Sequence, residues 1–318
     1  MAEPALLSVR GLRVRFGHTQ VAVDGVDFDL APGETLGIVG ESGSGKSLTA
    51  LSVLGLAPGR VEGEVVFDGT SLLGLPEREM NRIRGARIAM IFQEPMTALN
   101  PVFTVGRQIA ETLRQHHRLD AAAARARSLE LLRQVGIADP NSRLDRYPHE
   151  LSGGMRQRVM IAIALACSPR LLIADEPTTA LDVTIQAQIL ALLRELQSAL
   201  GMALVLITHD LGVVAQMVDR VIVMYGGRVA EEGPVSRIFA APSHPYTRLL
   251  MQSIPALDRE QDRLAIIPGT VPPLSDMPPG CRFNTRCPNA GPDCRSSVPA
   301  LSEVAPGHRI ACFHPTRP

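Results

Sequence analysis

The chain has 318 residues, 45% of them hydrophobic, and its 32 basic side chains balance 32 acidic ones. Zero net charge is not typical of a protein that coats nucleic acid or tethers itself to a membrane through a polybasic segment. The longest uncharged apolar stretch, Val159 to Pro169, is far shorter than the ~20 residues that span a bilayer. The N-terminus shows no basic-then-apolar secretory pattern. We therefore expect a cytoplasmic globular protein that contacts membranes through partner chains.

The first predicted elements are antiparallel strands in residues 6–30, where apolar side chains alternate. Residues 35–39 and 48–54 predict a strand and a helix, joined by a loop of the form G-x-x-x-x-G-K-S. In such a loop the glycines let backbone N–H groups turn toward phosphate oxygens, the lysine adds positive charge and the serine hydroxyl can bind Mg²⁺. We predict that a nucleoside triphosphate and Mg²⁺ bind at Gly40, Glu41, Ser42, Gly43, Ser44, Gly45, Lys46 and Ser47.

The next segment, residues 97–158, has a helical pattern, with helices predicted over 105–118 and 121–135 and proline-containing loops at its flanks. At its far end, the Ser-Gly-Gly sequence of residues 152–154 precedes a long apolar stretch. Backbone N–H groups at such a helix start can bind an anion. A serine that only caps a buried helix is the structural alternative. The position between a phosphate loop and an acidic strand end favours the anion site.

Apolar runs at residues 171–174, 203–208 and 220–225, with a helix predicted at about 183–200, indicate a parallel sheet covered by helices. Ligands of such sheets bind at the carboxyl ends of the strands.

Two acidic residues follow the first of these runs. Asp175 could share a Mg²⁺ ion with Ser47, because hard cations prefer oxygen ligands. Glu176, one residue further on, is the candidate general base for an attacking water. The alternative is an acidic pair that caps a helix or a turn.

The order of these motifs over residues 6–235 resembles that of the nucleotide-binding subunits of ABC transporters. The matching positions are Phe16 in the place of an adenine-stacking aromatic, Gln93 in the Q-loop, Ser152, Gly153 and Gly154 in the signature, residues 171–176 as Walker B with its glutamate, Asp182 in the D-loop and His209 as the switch histidine. The resemblance implies an α/β fold of the P-loop NTPase (ABC-type ATPase) class. Its parts are a RecA-like parallel-sheet core, an antiparallel β subdomain, a helical subdomain and a small cysteine-containing C-terminal extension.

The expected domain organisation follows the same resemblance. Residues 1–96 and 159–235 are expected to form the ATP-binding core with its antiparallel β subdomain. Residues 97–158 are expected to form the helical subdomain that carries the signature, and residues 236–318 the extension.

The resemblance also assigns roles to single residues. Gln93 is expected to contact Mg²⁺ and the attacking water, and His209 the γ-phosphate. Phe16 is expected to stack on adenine, with core packing as its alternative. Residues 152–154 are expected to cap the ATP of a partner subunit in a head-to-tail dimer, and Asp182 to cross that interface.

The implied partners are a second ATPase subunit, with a paralogue favoured over an identical copy, two membrane permease subunits and an extracytoplasmic solute-binding protein. The implied location is the cytoplasmic face of the inner membrane, peripherally bound. No nucleic-acid partner is expected.

A His-Pro-Tyr sequence lies within residues 243–250. It resembles the segment that marks the oligopeptide/dipeptide branch of these ATPases, which also includes importers of nickel, glutathione and some sugars. The structural interpretation is a helix that starts with proline in its first turn, and the segment can be both a family marker and a helix start.

Four cysteines, Cys281, Cys287, Cys294 and Cys312, cluster in the proline-rich tail. Disulfides are disfavoured in a reducing compartment, and the closely spaced cysteine pairs of zinc knuckles are absent. The wide spacings suit a Cys₄ iron–sulfur cluster at least as well as zinc. The resemblance favours a 4Fe–4S cluster in a structural role, with zinc and free thiols as alternatives and redox sensing as a second role.

The sequence thus predicts an ATPase subunit that energises import of dipeptides or oligopeptides. Nickel chelates, glutathione or another small solute are the alternative cargo. A soluble ABC ATPase acting on nucleic acid or ribosomes is disfavoured by the single ATPase unit and the zero net charge, and an exporter by the His-Pro-Tyr segment.

Overall fold

The computed structural model of the protein describes residues 4–17, 19–253 and 267–316. Its strands are β1 (Leu7–Phe16), β2 (Gln20–Leu30), β3 (Thr35–Val39), β4 (Arg60–Phe67), β5 (Thr70–Ser71), β6 (Ile88–Ile91), β7 (Leu171–Asp175), β8 (Ala203–Ile207), β9 (Arg220–Tyr225), β10 (Arg228–Pro234), β11 (Ser302–Ala305) and β12 (His308–Ile310).

The helices are α1 (Lys46–Val53), α2 (Glu77–Ile83), α3 (Pro95–Ala98), α4 (Val105–His117), α5 (Ala121–Gln134), α6 (Pro140–Leu144), α7 (Gly153–Leu165), α8 (Val183–Leu200), α9 (Leu211–Met217), α10 (Val235–Ala240), α11 (Pro245–Gln252) and α12 (Pro292–Ser296). Short 3₁₀ turns occur at Pro148–Glu150 and Leu274–Asp276.

The chain divides into two compact units. The first comprises residues 1–31, 35–73 and 206–318, and the second comprises residues 32–34 and 74–205. The division passes through β8. The predicted scheme of a core, a helical subdomain and an extension has other boundaries and stays a prediction.

The first unit contains an antiparallel sheet of strand order β2-β1-β4-β5. Leu12 and Val14 on β1 are fully buried, whereas Arg13 between them is exposed, as expected for a strand with one face on the core. This alternation is the pattern that predicted antiparallel strands in residues 6–30, and the structure confirms them.

The first unit also contains the strand order β11-β12-β10-β9-β3. β3 and β9 are parallel and are buried along almost their whole length. The C-terminal tail contributes β11 and β12, and β12 pairs with β10 through Glu231 and Ile310. Part of the proline-rich tail therefore extends a sheet whose strand β10 lies more than seventy residues earlier in the chain.

The second unit pairs β6 with β7 in parallel and packs α4, α5, α7 and α8 around its own core. The helices predicted at 105–118, 121–135 and about 183–200 are present with boundaries within one residue. Each begins at a side-chain cap, with Thr104, Asp120 or Asp182 accepting a hydrogen bond from a backbone N–H of the first turn. In the described part of the chain, no helix is both long enough and apolar enough to cross a bilayer.

Candidate functional site

The glycine-rich loop of residues 40–47 connects β3 to α1, as the sequence predicts. Gly40, Gly43 and Gly45 have φ angles of 150°, 78° and 94°, a region that side chains with a Cβ rarely adopt. A Cβ on Gly40 would also meet the carbonyl oxygen of Met224 and lie 2.8 Å from Ser44 Oγ. The loop conformation therefore requires glycine at position 40 for steric reasons as well as for its dihedral angles.

Lys46 lies over this loop and is only 6% exposed. Its ammonium donates hydrogen bonds to the carbonyl oxygens of Gly40, at 2.7 Å, and Glu41, at 3.0 Å. These bonds satisfy a charge that would otherwise be costly to bury. Ser47, the next residue, is half-buried in the first turn of α1.

Glu41, the second residue of the loop, contacts two side chains that lie far away in sequence. Its backbone N–H donates to the Tyr246 hydroxyl at 2.9 Å, and its carboxylate forms an ion pair with Arg286 at 2.7 Å. Sequence reasoning missed both residues as parts of the site. The sequence signal for Tyr246 was the His-Pro-Tyr segment. Its predicted helix start is confirmed, because α11 begins there with His244 as its N-cap and Pro245 in its first turn.

Two further predicted residues lie in the first unit. Phe16 is the last residue of β1 and is half-buried. His209 follows β8 and is exposed. The turn around it is fixed by capping, because Asp210 Oδ1 accepts from the N–H groups of Gly212 and Val213. Its neighbour Thr208 accepts a hydrogen bond from the Asp210 N–H at 3.0 Å.

In the second unit, Asp175 ends β7 and is 4% exposed, whereas Glu176 is half-buried in the turn that follows. Gln93 Nε2 donates to Glu176 Oε2 at 3.1 Å, and Thr179 Oγ1 donates to the same oxygen at 2.9 Å. Glu176 has a φ of 46°, in the left-handed region, which costs a residue with a side chain of order 1–3 kcal/mol. The structure thus brings the predicted base and the predicted Q-loop glutamine together.

The Ser-Gly-Gly segment starts α7, and Ser152 Oγ accepts from the Met155 N–H at 3.4 Å. The structural role considered from sequence, a helix cap, is therefore present. A Cβ on Gly154 would lie 2.8 Å from Ile185 Cγ2 on α8, so this glycine allows close packing of the two helices. Asp182 likewise caps α8 by accepting from the Ile185 N–H at 3.0 Å. The roles of these residues toward a partner subunit stay predictions.

The predicted site residues fall into two sets according to the units. Phe16, residues 40–47, His209 and the four tail cysteines belong to the first unit, and Gln93, residues 152–154, Asp175, Glu176 and Asp182 to the second. The shared Mg²⁺ site of Ser47 and Asp175 stays a prediction.

Three of the four tail cysteines have a thiol whose pKa is raised. Burial, with smaller contributions from Cys287, Cys281 and Cys294, raises the pKa of Cys312 to about 12. Burial also raises the pKa of Cys281, with a smaller contribution from Cys294, and the pKa of Cys287, with smaller contributions from Cys281 and Cys294. The Cys281 N–H donates to the Cys294 carbonyl at 2.9 Å. Cys281 and Cys294, which lie apart in the sequence, are thus neighbours in the fold.

One of these cysteines, Cys294, also belongs to a second group of possible metal ligands. Asp293, Cys294 and His314 place their ligand atoms within 4.8 Å of one another, and it is the one such group of three among the described residues. His314 Nε2 and Asp293 Oδ1 are 2.8 Å apart.

Comparisons with known proteins agree with the motifs. Residues 23–179 match the family model of the ABC transporter, and residues 230–294 match the C-terminal region of the oligopeptide/dipeptide transporter. "Probable peptide ABC transporter ATP-binding protein y4tR" of Sinorhizobium fredii is 58% identical, over 97% of this chain and 94% of its own length. The dipeptide transport ATP-binding protein DppD of Escherichia coli is 53% identical, over 98% of this chain and 97% of its own length. The oligopeptide transport ATP-binding protein OppD of the same organism is 51% identical, over 98% of this chain and 94% of its own length.

Solved structures give the same result for the fold. The dimeric structure of a post-hydrolysis state of the ATP-binding cassette MJ0796, bound to ADP and Pi, has a TM-score of 0.66 and 31% sequence identity. The similarity covers 72% of this chain and 98% of that one. The predicted fold class is confirmed.

Proposed function

This chain belongs to the ABC transporter family of ATP-binding proteins, and we propose that it hydrolyses ATP to energise the import of dipeptides or oligopeptides. One observation carries the proposal. A single chain combines an ABC transporter segment with an oligopeptide/dipeptide C-terminal segment, and relatives named for transport of both cargo classes share more than half of its residues over nearly its whole length.

ATP and Mg²⁺ are the ligands expected of such an ATPase. In our proposal the backbone N–H groups of residues 40–47 and the Lys46 ammonium hold the phosphates, and Phe16 stacks on adenine. Ser47 and Asp175, with Gln93, hold the metal, which neutralises phosphate charge when bound. The buried Lys46 supports this assignment, because its ammonium is already held at the loop that would receive the phosphates.

Glu176 is the proposed general base. The hydrogen bonds from Gln93 and Thr179 fix its carboxylate, and its strained backbone is what a positioned catalytic residue would show. His209 is proposed to contact the γ-phosphate from a turn whose geometry is set by the Asp210 cap.

The signature and the D-loop are proposed to act on a second subunit. Ser152, Gly153 and Gly154 start α7 with N–H groups suited to a phosphate, and Asp182 starts α8 beside them. The similar cassette MJ0796 has been solved as a dimer with ADP and Pi, which supports pairing with a second subunit. A paralogous ATPase is the proposed second subunit.

Membrane association is what a transporter ATPase requires, and this chain needs permease subunits to provide it. We place it peripherally at the cytoplasmic face of the inner membrane, with two permeases and an extracytoplasmic solute-binding protein. Nickel chelates, glutathione or another small solute remain the alternative cargo, because cargo contacts lie outside this chain.

A 4Fe–4S cluster is the finer proposal for the tail. Cys281, Cys287, Cys294 and Cys312 belong to one unit, as shared ligation requires.

Metal analysis tests this proposal directly. Anaerobically purified protein should contain iron and acid-labile sulfide and absorb visible light, and Cys312→Ser should reduce the absorption. Stoichiometric zinc in a colourless protein would overturn it and would favour ligation through Cys294, Asp293 and His314.

The function is tested by ATP hydrolysis of the chain reconstituted with permease and solute-binding subunits, with and without short peptides. Peptide stimulation is the expected result. A response to nickel chelates, glutathione or sugars, with none to peptides, would keep the ATPase and reject the peptide cargo.

A further inference from the structure

The C-terminal region contacts the phosphate-binding loop at Glu41. Tyr246, on α11, accepts a hydrogen bond from the Glu41 N–H at 2.9 Å. Arg286, between two of the tail cysteines, donates from Nη1 to Glu41 Oε2 at 2.7 Å and from Nη2 to Oε1 at 3.1 Å. All of these residues belong to the first unit. Two independent tail segments therefore converge on the backbone and on the carboxylate of one loop residue.

Both tail side chains are held firmly before they reach the loop. The Tyr246 side chain is fully buried and packs against Tyr225 and Phe283, with ring centroids 4.8 Å and 5.2 Å away. The Arg286 side chain is 4% exposed, and its Nε donates to the Pro268 carbonyl at 2.7 Å. A planar guanidinium that is fixed in this way forms a directional, two-point pair with a carboxylate.

The contacts fix Glu41 on three sides. The Tyr246 hydroxyl accepts a hydrogen bond from its N–H, Lys46 donates to its carbonyl oxygen at 3.0 Å, and Arg286 forms an ion pair with its carboxylate. Glu41 is also a negative charge inside a loop that would bind a triphosphate. Without a counter-charge, that carboxylate would repel the phosphates.

We propose that Tyr246 and Arg286 are positioning residues for nucleotide binding: they hold the phosphate-binding loop in shape, and Arg286 neutralises the Glu41 carboxylate. The inference rests on the proposed ATPase function and extends the site to the C-terminal region. The loop is then ordered before nucleotide arrives, so the free energy of binding does not include the entropy cost of ordering it.

The test measures equilibrium binding of MgATP, MgADP and adenosine to the full chain and its variants. Arg286→Met should weaken MgATP binding about tenfold and MgADP binding less, since the diphosphate carries less charge. Adenosine binding should not change. Adding Glu41→Gln to Arg286→Met should restore much of the MgATP affinity, because the uncompensated charge is gone. A purely structural role for Arg286 would weaken the binding of MgATP, MgADP and adenosine alike.

Two further variants keep the test decisive. Tyr246→Phe retains the ring and removes only the hydroxyl, and it should weaken MgATP binding roughly threefold through the lost hydrogen bond. Arg309→Met is the matched control, because Arg309 pairs with Glu232 in the same tail away from the loop. It should leave nucleotide binding unchanged.

The experiment distinguishes a failure of the proposed ATPase function from a failure of the positioning role of Tyr246 and Arg286. If the unaltered chain does not bind MgATP, the proposed function is wrong. If it binds MgATP while Tyr246→Phe and folded Arg286→Met bind it equally well, the positioning role is wrong and the ATPase function stands. Should Arg286→Met not fold, equal binding by Tyr246→Phe alone would overturn the proposal.

Discussion

The phosphate-binding loop and the Glu176 turn hold their side chains in opposite ways. In the loop, Lys46 is 6% exposed, Gly40 has no room for a Cβ, and tail residues contact Glu41 from far along the chain. In the turn, Glu176 is half-buried and hydrogen-bonded to Gln93, which is exposed. The geometry of the loop thus depends on tight packing, and that of the turn on polar contacts between more exposed side chains. Changes in the loop should alter folding and binding together, whereas changes in the turn should alter rate alone.

Glu176→Gln should have the largest effect and would separate the two regions most clearly. The amide keeps the shape of the side chain and removes its basicity, so the ATPase rate of the assembled transporter should fall about 10²–10⁴-fold. Binding of MgATP to the loop should persist. Steady-state hydrolysis and equilibrium binding measure the two quantities. Glu195→Gln, on the exposed side of α8, is the control. Near-normal hydrolysis in Glu176→Gln would remove Glu176 from the role of base.

Gly40→Ala tests whether packing really sets the loop. The new Cβ would meet Met224 O and Ser44 Oγ at an unfavourable φ, and we expect a loss of about 3 kcal/mol of unfolding free energy together with MgATP binding. Gly43→Ala is the matched control, because its φ is 78° but a Cβ there meets nothing within 4 Å. It should cost only about 1 kcal/mol. Equal losses measured by chemical denaturation would mean that dihedral strain, and not packing, controls the loop.

His244→Asn tests the packed region through pH. Burial lowers the pKa of His244 to about 4, against about 6.5 in the unfolded chain. Between pH 4 and pH 6.5 the unfolded chain binds a proton at His244 and the folded chain does not. The stabilisation of the folded state by neutral His244 is therefore complete above pH 6.5 and is lost as the pH falls toward 4. From pH 7 to pH 5 the loss should be about 2 kcal/mol.

Asparagine does not titrate there and can still accept the hydrogen bond that His244 Nδ1 takes from the Tyr246 N–H. Urea unfolding of both proteins at the two pH values measures the difference. An identical pH dependence of the unfolding free energy in both proteins would show that His244 is not the group whose protonation destabilises the folded chain.

Gly154→Ala should have the smallest effect and sharpens the comparison within the second unit. Here a glycine is required by packing, since the Cβ would lie 2.8 Å from Ile185 Cγ2, and we expect a cost of about 1–2 kcal/mol. Gly153→Ala, whose Cβ would lie at an ordinary 3.5 Å from Leu181, should be nearly neutral. Thermal unfolding measures both. Adding Ile185→Ala should relieve the Gly154→Ala cost, and a lack of relief would locate the strain elsewhere.

Local sequence determined the elements and the phosphate-binding loop. The helices α4, α5 and α8 are predictable because amphipathic spacing and a capping residue both act within one or two turns of chain. The G-x-x-x-x-G-K-S spacing predicts the loop because backbone geometry and chemistry coincide in eight consecutive residues. Even the strand end at Asp175 follows from a short apolar run.

Only the tertiary structure decided what supports the loop. Tyr246 and Arg286 lie 205 and 245 positions from Glu41, and no periodicity links them to it. The pairing of β12 with β10 and the positive φ of Glu176 are equally invisible to local patterns. Such contacts depend on the closure of long loops and on the fit of buried side chains, which are properties of the whole packed chain. The sequence thus determined which residues carry the chemistry, and the packing of distant segments decided how firmly each is held.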